Sequence, residues 1–273
     1  MTLVLARRAI ADRRRWLIGW SIGIAAFVVV NIAFWPAIED EAATMNEMID
    51  RMPESLQSLF GMGGGIDPFS PIGYLSSQVY ALALPLLLLI AALGVAGSLA
   101  GDEERGLLET VYALPVTRTR VVVERWLALM ALTAALAIVS MVTVLVSTRI
   151  VGLEAGVGAV ALATLSATLL TWAIAGIGLA VGAATGRRGV AISVAAVVAV
   201  ASYVITSLAD AGIGFFRHIE VVSLFTLYDV VETLAGVTPL GSMAVMLAVM
   251  LVVAGVGVAV AVWAIGRRDL RAG

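Results

Sequence analysis

Long apolar runs alternate with polar stretches along this chain. The runs at 16–35, 79–101, 126–148, 157–186, 190–208 and 242–265 each come close to or exceed the roughly 20 residues that carry a helix across the bilayer hydrocarbon. Polar segments at 1–15, 36–78, 102–125 and 209–241 flank or separate them, and the other connections are short turns. The pattern predicts an all-α polytopic membrane protein with six transmembrane helices in a single transmembrane domain, 1–273. The fourth run is long enough to tilt or to begin along the interface. Pro85 is expected either to kink the second span or to lie in its first turns.

The polar segments differ in character. Residues 1–15 carry Arg7, Arg8, Arg13, Arg14 and Arg15 among small apolar residues, which fits either an amphipathic interfacial helix or a plain basic flank. The apolar run at 16–35 exceeds the usual core of a secretory signal, and no small-x-small cleavage pattern follows it. It therefore reads as the first span, with Trp16, Trp20 and Trp35 suited to interfacial belts. Segment 36–78 is acidic. A helix over 42–52 would place Met45, Met48, Ile49 and Met52 on one face. The stretch MPESLQSLFGMGGG, 52–65, reads as a short helix closed by a glycine turn, and 67–74, with two prolines, as a loop. Segment 209–241 is half apolar and suits short helices that dip into the membrane without crossing.

Segment 101–125, GDEERGLLETVYALPVTRTRVVVER, is a polar island with nine charged residues between two oily runs. Its acidic residues would suit the first turn of a short helix, where the helix dipole favours them. Leu107, Leu108, Val111 and Leu114 fall at helical spacing as one apolar face, and Pro115 would end the helix. The pattern predicts a short surface helix that docks into another protein.

Composition sharpens this picture. The chain is 61% hydrophobic and 13% charged, where a soluble domain carries about 25% charge. It has no cysteine and one histidine, His218, which rules out disulfides, thiolate sites and multi-histidine metal centres. All 17 basic residues are arginine, so a Walker A loop, whose lysine reaches the phosphates, is absent. Fourteen of those arginines fall in 1–15, the island, the turn at 186–189 and the tail, while Arg51, Arg149 and Arg217 fall in the alternate connections. By the positive-inside rule, this predicts cytoplasmic N- and C-termini, a cytoplasmic island and extracellular 36–78 and 209–241. Because each cluster flanks a span, the arginines read as membrane anchors and not as a nucleic-acid surface.

The six apolar cores contain no Asp, Glu, Arg or His, which disfavours a proton relay or ion path. Uncharged polar residues do occur there. Asn31, Ser140, Thr143, Thr164, Thr168, Thr171, Tyr203 and Thr206 are candidates for a substrate route. Hydrogen bonding between helices, or back to their own helix, is the simpler explanation. Gly178, Gly182 and Gly186 form a tandem small-residue series that permits close helix packing, either within the chain or at a dimer seam. No Ser–His, Ser–Lys or paired-Asp set lies at membrane depth, so the sequence offers no catalytic residues. His218 reads as an ordinary interfacial residue.

The island resembles the ABC type-2 permease family, the membrane subunits of bacterial drug, antibiotic and lipid-linked-glycan exporters. The resemblance rests on Glu103 and Glu104, on Gly106-Leu107-Leu108-Glu109, on Leu114-Pro115-Val116-Thr117-Arg118 and on Arg125. Leu107 stands where threonine is usual, and Thr117 where serine is common. Upstream, PESLQSLFGMGG and PIGYLSSQVY resemble the first outer loop of a branch associated with drug and polyketide-antibiotic export. The resemblance implies a multi-pass permease of the bacterial plasma membrane that exports a hydrophobic or amphipathic drug, antibiotic or lipid-like substrate. It implies two copies of a separate ABC ATPase subunit that hold ATP and Mg, with no cofactor in this chain. A second permease chain, identical or a sister, completes the assembly within membrane lipid. It also implies that 102–125 is the coupling segment, in which Glu103, Glu104, Gly106, Leu107, Leu108, Glu109, Val111, Leu114, Pro115 and Arg118 contact the ATPase. A membrane scaffold or immunity protein that moves nothing, and a secondary carrier, are the alternatives.

Overall fold

The computed structural model describes residues 4–51, 67, 69–106 and 116–267. Six of its helical stretches are long and apolar enough to cross a membrane: Arg14–Ala42, Pro71–Glu104, Arg118–Ile150, Val157–Thr185, Arg188–Asp210 and Leu240–Arg267. No strand occurs among the described residues. The all-α, six-span reading therefore stands, with helices that run past the apolar runs at several ends.

The chain begins with α1 (Val4–Asp12), which lies against the base of the third span, and continues into α2 (Arg14–Ala33). A single turn at Phe34 separates α2 from α3 (Trp35–Asp50). Pro36 has no N–H to give the carbonyl four residues back, which accounts for the interruption. The helix expected over 42–52 is the end of α3, while 52–66, including the glycine turn, lies outside the described residues. Trp35 is not an interfacial anchor: it is buried, with its ring 5.3 Å from that of Tyr74.

The second span is built in pieces. Ser70 caps α4 (Pro71–Leu75) by accepting the Gly73 N–H at 3.0 Å. A π turn follows at Ser76–Tyr80, then α5 (Ala83–Ala96) and α6 (Ser98–Glu104). Pro85 sits in the first turn of α5, where a missing N–H is tolerated. A broken helix frees carbonyls that cannot stay unsatisfied in oil. The Tyr80 carbonyl accepts the Tyr228 hydroxyl at 2.8 Å, across 148 residues of sequence.

The third span is α7 (Arg118–Ile150), which begins earlier than the apolar run because Thr117 caps it and accepts the Arg120 N–H at 3.3 Å. The fourth is α8 (Val157–Thr185), the fifth α9 (Arg188–Asp210) and the sixth α12 (Leu240–Arg267). Between the last two, the short helices α10 (Gly214–Ile219) and α11 (Val230–Ala235) form a cap. Phe225, Tyr228, Val230 and Leu234 of this cap are buried against the bundle.

Helix α8 is the centre of the bundle, in contact with α5, α7, α9, α11 and α12. Its backbone runs against that of α12: a Cβ built on Gly257 would stand 2.5 Å from the Gly176 carbonyl carbon. The series singled out in the sequence packs elsewhere. Cβ atoms at Gly178 and Gly182 would lie 3.2 Å from the Cβ atoms of Ala195 and Ala191, so these glycines seat α9 within the same chain. Gly186 instead ends α8 in the left-handed region, with φ 63°.

Gly257→Ala is expected to force α8 and α12 apart at a cost of about 1–3 kcal/mol, read as a lower unfolding midpoint in detergent. Gly255→Ala, where an added Cβ meets nothing within 4 Å, should leave the midpoint unchanged.

Candidate functional site

The charged island meets the ends of several helices at one end of the bundle. Its acidic residues close a helix and do not open one. Asp102, Glu103 and Glu104 form the last turn of α6, which stops because Gly106 turns left-handed at φ 70° and returns its N–H to the Glu103 carbonyl at 3.0 Å. Carboxylates are unfavourable at a helix C-terminus, so each needs an outside partner.

For Asp102 and Glu104 those partners come from other spans. Asp102 pairs with Arg125 of α7 at 2.5 Å, with both side chains largely buried. Arg125 also donates to the Ser98 hydroxyl at 3.2 Å. Glu104 accepts the backbone N–H of Arg188 at 2.9 Å. That N–H opens α9 and would otherwise lack a partner, so the acidic end of α6 caps the positive end of α9. Arg188 lays its stem over Gly97 and Gly101, where added Cβ atoms would fall 3.2 and 3.1 Å from its methylenes. Sequence reasoning missed both glycines, although their spacing of four at the end of the second span was a usable signal.

Two further ties extend the knot. Arg118 donates to the Ile265 carbonyl near the end of α12 at 3.0 Å. Glu124 is buried, with 2% of its surface exposed. It accepts Arg120 Nε at 2.6 Å and the Ala6 N–H at 3.0 Å. The second bond caps the first turn of α1 from a residue 118 positions away. Arg13 sits beside this knot. Burial, and then Arg125, push its pKa below the usual arginine value, Asp102 pulls it back, and Arg188 lowers it further.

Of the residues expected at the docking surface, Glu103 is buried within the chain, Glu104 is exposed but holds α9, and Arg118 reaches α12. Gly106 forms the turn. Leu107, Leu108, Glu109, Val111, Leu114 and Pro115 lie outside the described residues.

The candidates for a substrate route are dispersed. Asn31 donates to the Phe27 carbonyl at 2.9 Å, and its own carbonyl accepts Tyr74 Oη at 2.7 Å. Ser140, Thr143, Thr164, Thr168 and Thr171 all donate to carbonyls three or four residues back in their own helices. Thr164 also bonds the Tyr80 hydroxyl at 2.9 Å. Thr206 bonds Ser223 and Thr226 of the cap, at 2.7 and 3.0 Å. Of this set, Thr171 and Tyr203 line an apolar space of about 260 Å³ bordered also by Pro85, Leu89, Ile174 and Phe225. With its hydroxyl turned back on its helix, Thr171 adds little polarity to the wall. His218 is exposed, with Nδ1 2.7 Å from the Gly214 carbonyl.

Six membrane-length helices, four of them packed on a central fifth, define a polytopic α-helical membrane protein. The profile for ABC-2 family transporter proteins matches residues 3–270, and the chain belongs to that family. The family supplies the membrane component of a transport system and normally works with an ABC ATPase. No curated protein matches the sequence.

Glu124→Ala is expected to release α1 from the base of α7. Losing a hydrogen bond to a charged acceptor, worth about 1.5–3 kcal/mol, should raise amide exchange over 4–12 by about tenfold or more, read by hydrogen-exchange mass spectrometry. Unchanged exchange would show that α1 is held by its apolar contacts alone.

Proposed function

We propose that this chain is the permease subunit of an ATP-driven exporter in a bacterial plasma membrane, with the arginine-rich end in the cytoplasm. A separate ATPase, holding ATP and Mg, docks on 102–125. Two permease chains, identical or sisters, pair to bring two ATPase subunits together. The cargo is hydrophobic or amphipathic and moves outward.

One observation carries this reading. Both flanks of 107–115 are fastened to spans: Asp102 to α7, Glu104 to α9 and Arg118 to α12. Through these short polar bonds a load applied to that segment reaches three spans, those of α7, α9 and α12, and the chain itself ties it to α6. A surface loop without mechanical work to do needs no such fastening. The uncharged cores support an energy source outside them, and the apolar cavity between α5, α8 and α9 gives a lipophilic molecule a place to lodge.

The test is co-expression with a candidate ATPase. Leu108→Ala should weaken docking by about ten- to hundredfold, the worth of burying a leucine side chain, and Glu109→Ala should weaken it less. Asp102→Ala should leave docking intact but lower ATP-dependent export, because α6 is no longer fastened to α7. Docking without any transport would favour a scaffold. Export that survives a catalytically dead ATPase and collapses with the proton gradient would favour a secondary carrier.

A further inference from the structure

A groove of about 400 Å³ runs along α2, lined by Trp16, Gly19, Trp20, Gly23, Ile24 and Leu87. Gly19 and Gly23 meet nothing within 4 Å where a side chain would be, so they form an open trough. Trp16 and Trp20 wall it, with ring centroids 6.2 Å apart. Arg15 lies one helical turn before Gly19 on the same stripe, with Arg14 beside it. Both are exposed, and neither makes an ion pair among the described residues.

Length and charge identify the occupant. From Arg15 to Gly23 the helix rises about 12 Å, close to the roughly 15 Å of one leaflet's hydrocarbon. The trough is therefore one acyl chain deep and begins at a pair of cations. Arginine stems can extend along apolar surface to place their guanidinium groups at headgroup level and take a phosphate by two parallel bonds. A second copy of this chain fits less well. A two-fold axis along the membrane normal would set the same patch against itself, bringing Arg14 and Arg15 against their counterparts.

We propose that this groove binds an anionic phospholipid of the leaflet at the arginine-rich end, with its phosphate on Arg15 and Arg14 and one acyl chain over Gly19 and Gly23. The site holds a lipid at the joint where α1 meets the first span, and it does not depend on what the chain transports.

The experiment uses the full chain in vesicles of phosphatidylcholine with a minor fraction of phosphatidylglycerol, either lipid carrying brominated acyl chains that quench nearby tryptophan. Brominated phosphatidylglycerol should quench at lower mole fraction than brominated phosphatidylcholine. The R14Q/R15Q variant should lose that preference, by about fivefold per arginine removed. R7Q/R8Q, with its changes on α1, should keep it. Gly19→Leu should fill the trough and reduce quenching by both lipids. Equal quenching by the two lipids, an equal loss in R7Q/R8Q, or unchanged quenching in Gly19→Leu would each overturn the proposal. So would efficient cross-linking of Gly19→Cys to its own copy in the same vesicles, which would assign the groove to a second chain.

Discussion

Three carboxylates, those of Asp102, Glu104 and Glu124, organise one end of this molecule. None is at home where it stands. Asp102 and Glu104 close a helix whose dipole opposes them, and Glu124 is buried. Each is stabilised by a donor from elsewhere: a guanidinium on α7, the first N–H of α9, and the third N–H of α1. The carboxylates need those donors, and that need draws four helices to one place. Removing one partner would leave the other charge exposed to a poor environment, which is why such clusters hold together as units.

The bundle above the knot is closely packed. Helix α8 lies among the other spans with small residues at its close approaches, so its backbone nearly touches that of α12 at Gly176 and Gly257 and seats α9 at Gly178 and Gly182. Packed interiors of this density shift as blocks and do not deform smoothly. The second span is the exception. Its π turn and Pro85 interrupt it beside the apolar cavity, and its outer part is bonded to the cap through Tyr228. Close helix packing and helix interruption thus fall on different spans.

The sequence was most legible where the physics is local. Apolar runs marked all six spans, because a bilayer demands length and apolarity within each helix. The stop at Gly106 and the cap at Thr117 follow standard helix-end chemistry and could be read from the residues alone. The acidic triplet was misread as a helix start, since acids before an apolar pattern ordinarily mark one. What decided otherwise was Arg125 and the α9 N-terminus, which are distant in sequence. The same limit hid the Gly176–Gly257 contact and the bond from Tyr228 to Tyr80. The threonines of α8 share a face, as their spacing said. However, periodicity does not say whether a hydroxyl points to a neighbour or back to its own helix.

The bond between Glu124 and the Ala6 N–H also bears on how the protein is made. Its two ends are 118 residues apart. At ordinary rates of synthesis that interval is roughly 6–24 s. During that time the first helix has left the ribosome and its docking site does not yet exist. The arginine-rich segment must wait without that bond, with two membrane-length helices already made, until the base of the third arrives to receive it.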